Sequence, residues 1–262
     1  MNDVLFVFAH QDDEVGIWTR IVHEVRAGAG VWCAYLTDGA RDVSAAVRDA
    51  ESSRALARAG VAAERIAFLR DAEGRIADGT LFRALARARA MLGAWIAETG
   101  VRFSSVFTLD WEGGHHDHDA AHLVTLAACR DAGLPPPQVF SLYNGYARRP
   151  GLFRVASFVP GDAPVVRRSL AVRDVIAAAL LPLVYRSQRR TWLGLGPGFA
   201  ARTLLRRAEL VRAADARRLA DRPHAGPLLY ETMFGTPAGE VLAASAALRA
   251  ELAGTAAAVR TS

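Results

Sequence analysis

Short apolar segments that alternate with helical patterns are the feature that most limits how this chain can fold. The apolar segments lie at residues 4–9, 31–36, 65–69, 104–109 and 139–143, and each has the length of a buried β-strand. Amphipathic helical patterns lie between them, and glycines such as Gly60 and Gly100 end two of these patterns. Alternation at this spacing predicts βαβ units, and therefore an α/β fold with a mainly parallel sheet and helices on both faces.

Beyond residue 148 this pattern weakens. The predicted elements there are a strand at 153–159, helices at 169–185 and 199–219 with a glycine-rich loop at 194–198 between them, and a closing helix at 237–252. We assign residues 1–147 to a catalytic core. Residues 148–262 form a C-terminal elaboration that packs on the same domain and shapes a substrate pocket.

Polar side chains follow three of the predicted strands. They lie at residues 10–14, 37–38 and 115–118, after the first, second and fourth apolar segments. In a parallel sheet the carboxyl ends of the strands share one edge, and ligands bind beyond that edge. Burying several ionisable groups there costs solvation energy, which a bound divalent cation would offset. The sequence therefore predicts a metal site at this edge of the sheet.

The ligand types in these segments suit a catalytic metal ion. His10 and Asp13 stand three residues apart at a strand-to-helix turn, and His118 can add a third ligand. Two histidines and one carboxylate are a common catalytic zinc set, and bound zinc lowers the pKa of water towards ~7. Asp12, next to a ligand but directed elsewhere, is placed to accept a proton from that water. His118 and His122, four residues apart, form a rival ligand pair if the helix has begun.

Two motifs resemble those of a known family. Residues 9–14 read Ala-His-Gln-Asp-Asp-Glu, which resembles the Ala-His-Pro-Asp-Asp-Glu signature of the PIG-L/LmbE-like zinc-dependent N-acetylglucosaminyl deacetylases. Residues 112–119 resemble the second motif of that family, Gly-Gly-His-Pro-Asp-His. Gln11 and His116 replace the two prolines of the family pattern, and each proline would stiffen its turn.

The resemblance implies a Rossmann-like three-layer sandwich whose residues 1–147 hold a metal ion. His10, Asp13 and His118 would bind one Zn²⁺ per chain, and another divalent ion fits the same ligand set.

The resemblance also implies catalytic roles. Asp12 would be the general base for a metal-bound water that attacks the amide. His115 would stabilise the oxyanion or protonate the leaving amine, and Asp117 would fix the tautomer of His115. Arg48, which with Glu51 resembles the Arg-x-x-Glu of the family, would contact the substrate.

The implied reaction is the hydrolysis of a linear amide, in which an N-acetyl group leaves an amino-sugar moiety similar to N-acetylglucosamine. Two alternatives stay open. One is another metal-dependent amide or ester hydrolase, and the other is a non-catalytic sugar- or nucleotide-binding protein of the same fold. The intact polar set favours an enzyme, because a degenerate binding protein would have lost at least one of its members.

Charge is distributed unevenly along the chain. Residues 1–147 carry 14 arginines against 19 acidic residues, whereas residues 148–222 carry 16 arginines against five. Two explanations of the arginine-rich segment stay open. The arginines could lie on solvated helix faces, or they could bind an anionic partner. That partner would be an anionic glycoconjugate substrate or a membrane surface contacted peripherally. The arginine pairs are not interleaved with stacking aromatic residues, so we expect no nucleic-acid partner.

The remaining sequence features indicate where in the cell the protein is located. The longest uncharged apolar run, residues 175–185, is too short to cross a bilayer, so we expect no transmembrane segment. The first predicted strand begins near residue 4 and leaves no room for a signal peptide. Cys33 and Cys129 alone give no disulfide framework, which indicates a reducing compartment. The predicted location is the cytoplasm.

Overall fold

The computed structural model describes residues 2–258, which contain nine β-strands and eight α-helices. The strands are β1 (Asp3–Phe8), β2 (Gly30–Tyr35), β3 (Ile66–Phe68), β4 (Phe103–Leu109), β5 (Gln138–Phe140), β6 (Tyr143–Asn144), β7 (Arg154–Val155), β8 (Val165–Ser169) and β9 (Ala208–Ala213). The helices are α1 (Trp18–Arg26), α2 (Ala45–Ala59), α3 (Leu85–Thr99), α4 (His116–Asp131), α5 (Val172–Leu180), α6 (Arg189–Arg206), α7 (Leu229–Met233) and α8 (Ala238–Ala258).

Seven of these strands form one sheet in the order β3-β2-β1-β4-β5-β9-β8. The first five of that order are parallel, β9 is antiparallel to β5, and β8 is antiparallel to β9. Helices flank the sheet, so the predicted α/β fold with a mainly parallel sheet is confirmed.

The central strand β1 is buried on both faces, which is why its sequence is an unbroken apolar run rather than an alternating one. Phe6 pairs with Cys33 of β2 and with Phe107 of β4, and the Phe6 and Phe107 rings stack with centroids 5.0 Å apart. This packing fixes the end of β1, and with it the turn that carries His10.

The predicted helix at 199–219 is wrong beyond residue 206, and the predicted loop at 194–198 is wrong because those residues are helical. Helix α6 runs straight through the glycine-rich segment and ends at Arg206, after which strand β9 begins. Arg207 ends the helix in the left-handed conformation with φ 45°, and no glycine marks that position in the sequence. Burial of Trp192 and Phe199, seven residues apart on one face of α6, outweighs the poor helix propensity of the glycines.

The C-terminal part contributes β8 and β9 to the sheet of the N-terminal part. Arg212 of β9 forms an ion pair with Asp110, which follows β4, with 2.5 Å between Nη2 and Oδ2. Both side chains are at most 3% exposed. Across residues 2–258, none of the helices combines the length and the apolar character that a membrane-spanning helix requires.

Candidate active site

The site lies at the carboxyl end of β1, where a single 3₁₀ turn (Asp13–Gly16) follows the strand. Asp13 Oδ2 accepts hydrogen bonds from the backbone N–H groups of Ala9 (3.0 Å) and His10 (2.8 Å), which hold the carboxylate in place. Asp13 Oδ1 lies 3.1 Å from His118 Nε2. Burial alone would raise the pKa of Asp13, but His118 lowers it below its ordinary value, so the carboxylate is ionised.

Three histidines from the two predicted motifs meet at this point. One ring nitrogen each of His10, His115 and His118 lies within 4.8 Å of the other two, and all three side chains are buried. His115 is the residue that caps the N-terminus of α4, and His118 sits in the first turn of that helix. The structure therefore brings the predicted ligands His10 and His118 together with His115. The third predicted ligand, Asp13, adjoins this group through its contact with His118 but is not a member of the cluster.

Asp12 lines the same cavity as this ligand group and is held in an unusual conformation. Its backbone has φ 141°, a region that side-chain-bearing residues occupy only under strain. The backbone N–H of Asp12 donates to Glu14 Oε2 (3.0 Å), and its Oδ1 accepts from Arg48 Nη2 (3.1 Å). Burial raises the pKa of Asp12, and Arg48 opposes that effect.

His115 is oriented by the backbone of Asp117 rather than by the Asp117 carboxylate. The Asp117 N–H donates to His115 Nδ1 (3.1 Å), so neutral His115 carries its proton on Nε2. Burial lowers the pKa of His115 well below its ordinary value, and the neighbouring His10 adds to this effect. The neutral ring is therefore the resting form.

The Asp117 carboxylate contacts a different histidine. Asp117 Oδ2 lies 3.1 Å from His10 Nε2 and accepts from the N–H of Gly79 (2.6 Å), while Oδ1 accepts from the N–H of Leu81 (3.0 Å). In neutral His10 the proton is therefore on Nε2, which donates to the carboxylate, and Nδ1 keeps a free lone pair. A carboxylate behind a histidine is a frequent second partner in metal sites.

Asp78 is a site residue that we did not predict. Its Oδ1 lies 3.3 Å from His10 Nε2, and its N–H donates to Asp38 Oδ1 (2.9 Å). Burial alone would raise the pKa of Asp78, but His10 and Arg48 lower it to about 2. The available signal was Asp78-Gly79, a turn that follows the third predicted strand at the same edge of the sheet.

The two positions that lack the family prolines are held in other ways. Gln11 is fully buried, and its Nε2 donates to Thr37 O (3.1 Å) and to Asp49 Oδ1 (3.0 Å). His116 is buried, with its Nε2 3.0 Å from Gly79 O. Hydrogen bonds to neighbouring loops therefore fix both turns.

His122 does not join the ligand group. Its Nδ1 lies 2.9 Å from Leu109 O, and burial lowers its pKa to about 4. Within residues 2–258, the clusters that could hold a metal ion do not include His122.

A cavity of about 410 Å³ opens beside the histidines. Its walls come from both parts of the chain. The N-terminal part supplies Asp12, Arg48 and Asp78, and the C-terminal part supplies Gln188, Thr191, Trp192, Leu195, Met233 and Phe234. Nε and Nη1 of Arg48 are buried, and neither has a hydrogen-bond partner among residues 2–258.

Glu51, one helical turn after Arg48 in α2, holds the C-terminal wall. Glu51 Oε1 accepts the N–H of Ser187 (2.9 Å), and Oε2 accepts its hydroxyl (2.5 Å). Ser187 stands just before α6, so α2 connects the wall of the cavity to Arg48 and, through it, to Asp12.

The site fits a divalent metal ion by the chemistry of its donors. His10, Asp13 and His118 are the mixed nitrogen and oxygen set that zinc and similar ions bind. The carboxylates of Asp78 and Asp117 add negative charge next to His10. Burial alone would lower the pKa of His10, but these two carboxylates raise it well above its ordinary value, which shows the demand of this site for positive charge.

Comparisons with known proteins agree with this geometry. Residues 5–129 match the family described as PIG-L: GlcNAc-PI de-N-acetylase. The match confirms the resemblance that the two motifs carry, and with it the predicted class of enzyme, a hydrolase. No curated protein sequence matches the chain.

Solved structures share the fold. A complex of the deacetylase from the teicoplanin biosynthesis pathway is 16% identical, with a TM-score of 0.62 over 80% of this chain and 97% of that one. The zinc-inhibited form of teicoplanin deacetylase Orf2 is 16% identical, with a TM-score of 0.59 over 80% and 97%. The N,N'-diacetylchitobiose deacetylase from Pyrococcus horikoshii is 18% identical, with a TM-score of 0.57 over 86% and 88%.

Proposed function

We propose, because residues 5–129 match the PIG-L family of de-N-acetylases, that this chain is a metal-dependent deacetylase that removes the acetyl group from an N-acetylated amino sugar or its glycoconjugate. The observation that carries the proposal is that His10, Asp13 and His118 share one cavity with Asp12 and His115. The structural neighbours named as deacetylases of teicoplanin biosynthesis and of N,N'-diacetylchitobiose support this substrate class.

His10, Asp13 and His118 would hold the ion, which we propose to be Zn²⁺. When bound, the ion would supply a Lewis acid that polarises the acetyl carbonyl and makes water more acidic. The zinc-inhibited form of a protein with this fold supports the binding of a divalent ion, although zinc is an inhibitor there. Asp117, which accepts from His10 Nε2, would keep the ligand nitrogen of His10 unprotonated.

Asp12 would act as the general base. Its carboxylate lines the cavity without belonging to the ligand set, and Arg48 holds Oδ1 through a hydrogen bond of 3.1 Å. The strained backbone at Asp12 keeps the side chain on the cavity side of the turn at a cost of about 1–3 kcal/mol. Such strain is common where a structure fixes a reactive group.

His115 would stabilise the negative charge that develops on the carbonyl oxygen. Because the N–H of Asp117 occupies Nδ1, the neutral ring offers its Nε2–H as a donor. The same ring could take a proton and pass it to the leaving amine, and its lowered pKa makes it a strong acid once protonated.

We also propose that residues 1–147 supply the catalytic groups and that residues 148–262 supply the substrate walls. Gln188, Thr191 and Trp192 line the cavity opposite Arg48, whose unpaired guanidinium nitrogens would donate to the substrate. Unpaired Cys33 and Cys129, both buried, support the proposed cytoplasmic location, because reducing compartments keep thiols free.

The test is amine release from N-acetylated sugars, free and conjugated, together with metal analysis of the purified protein. Asp12→Asn should keep the metal and lose roughly 10²–10⁴-fold in turnover. Asp13→Asn should lose both. Asp162→Asn, at an exposed position outside the cavity, is the control and should keep both. Full activity of Asp12→Asn would reject its role, and the absence of a stoichiometric divalent ion would reject the metal site.

A further inference from the structure

Helix α5 exposes a stripe of apolar side chains. Val172, Ile176 and Leu180 recur at every fourth residue and so lie on one face, and Leu183 follows in the next turn. These four side chains are between 50% and 73% exposed. The opposite side of α5 packs on the protein through Val175, so the exposed stripe is not needed for the core.

Helix α6 extends this apolar area. Leu193, Leu204 and Leu205 are 76%, 50% and 85% exposed. Seven of the twelve large hydrophobic residues that are exposed in the described part of the chain therefore lie between residues 172 and 207, which we call the α5–α6 surface. Soluble proteins scatter such residues singly, and a concentration of them marks a site of interaction.

The charge of the α5–α6 surface is mainly positive. Residues 172–207 contain seven arginines and one acidic residue, Asp174, which is already paired with Arg26 at 2.7 Å. Arg186, Arg189 and Arg190 are exposed, and none has an acidic partner among residues 2–258. Any partner of this surface must therefore offer an apolar region to the leucines and anionic groups to the arginines around them.

The arginines at the far end of α6 repel one another. Arg202 and Arg206 both donate to the hydroxyl oxygen of Ser157, at 2.6 and 3.1 Å, and neither forms an ion pair with a carboxylate in the described part of the chain. Burial lowers the pKa of Arg206, and the nearby Arg202 and Arg154 lower it further. A layer of anions outside this end of the helix would relieve the repulsion.

We propose that the α5–α6 surface docks the protein on a lipid bilayer that carries anionic lipids. The leucines would enter the interfacial layer, and the arginines would contact lipid phosphates. A bilayer offers both the apolar and the anionic contacts, because a layer of anionic headgroups covers its apolar interior. Its area is larger than that of the whole α5–α6 surface. A folded protein partner would have to match the apolar stripe and the arginines with separate, complementary groups.

The position of α6 links this surface to the cavity. Gln188, Thr191 and Leu195 face the cavity, while Arg189 and Leu193 of the same turns face outwards. Docking would thus place the cavity about one helix diameter, roughly 10 Å, from the lipid headgroups. The inference goes beyond the proposed reaction and does not rest on it, since binding to lipid is measured without turnover.

The experiment is the co-sedimentation of the full chain with vesicles of phosphatidylcholine alone and of phosphatidylcholine with phosphatidylglycerol. The wild-type protein should bind only the anionic vesicles, and less so at high salt. Arg189→Glu/Arg190→Glu should lower the partition coefficient by roughly 30-fold or more, from the usual contribution of each arginine near a charged surface. The control Arg70→Glu/Arg102→Glu changes the net charge equally at exposed positions outside the surface and should bind as wild type does.

A second variant isolates the apolar contribution. Leu183→Asn/Leu193→Asn keeps the net charge and changes two side chains that are at least 73% exposed, so the fold should survive, as its thermal unfolding would show. Its binding should fall by about tenfold or more. The proposal is overturned if the wild type ignores anionic vesicles or if the control double variant loses binding equally. Dimerisation of the wild type that this leucine variant abolishes, without lipid binding, would assign the surface to a second copy instead.

Discussion

Replacing Arg212 by Met should destabilise the protein strongly. Arg212 and Asp110 are at most 3% exposed and form an ion pair of 2.5 Å, and Arg212 Nη1 also donates to Val159 O (2.9 Å). Without Arg212, the buried Asp110 keeps one ion pair among residues 2–258, with Arg218, whose Nη1 lies 3.3 Å from it. Leaving one charge of a buried pair uncompensated costs about 3–5 kcal/mol of unfolding free energy, and the remaining contact with Arg218 places the expected cost at the lower end of this range. For a chain of this size the melting temperature should fall by about 10 °C.

The measurement is urea unfolding followed by circular dichroism, with thermal unfolding as a second readout. The double variant Asp110→Leu/Arg212→Met is the decisive control, because it removes both charges and should recover at least half of the loss. A single variant that costs less than about 1 kcal/mol would refute the reasoning. So would a double variant that is less stable than the single one, since packing and not charge would then explain the cost.

Three further predictions concern the site and its supports. His118→Ala should lose the bound metal and His122→Ala should keep it, as metal analysis would show; equal loss would make His122 a ligand. Gln11→Ala removes two buried hydrogen bonds and should cost about 1–2 kcal/mol of unfolding free energy; no change in a urea titration would mean that they do not stabilise the turn. Burial raises the pKa of Glu112 to about 8, so the folded state keeps a proton that the unfolded state loses above pH 4.5. Unfolding free energy should therefore fall between about pH 5 and 8 by up to about 1.4 kcal/mol per pH unit, and Glu112→Gln should flatten that slope.

The sequence predicted the N-terminal elements and the location of the site because a parallel sheet gathers the ends of its strands at one edge. His10 and His118 are 108 residues apart in the sequence. The alternation of strands and helices nevertheless predicted that they lie close together, with Asp13 beside them. Asp78 escaped prediction because it lies ten residues beyond the end of β3, in a loop that returns to the site through Asp38. The Asp78-Gly79 dipeptide signals a turn, but nothing local shows that this turn returns to the site, because the return depends on a tertiary contact.

The C-terminal part was harder to predict for a different reason. The boundary between α6 and β9 depends on Arg207 in a left-handed conformation, for which the sequence offers no glycine. The group that donates a hydrogen bond to His115 also could not be predicted from the sequence. The family resemblance implied that Asp117 fixes the tautomer of His115, and it is the backbone N–H of Asp117, not its carboxylate, that makes the contact. Which atom of a residue is used depends on the path of the helix that carries it.

One turn of α2 limits how the substrate specificity of the proposed enzyme can change. Arg48 holds Asp12, and Glu51, three residues later, holds Ser187 at the wall formed by α6. The two contacts share a rigid helix, so a change that shifts the wall to admit a different sugar also shifts the carboxylate that would perform the chemistry. Specificity and rate are therefore mechanically linked, and variants of the wall should change kcat and KM together rather than one at a time.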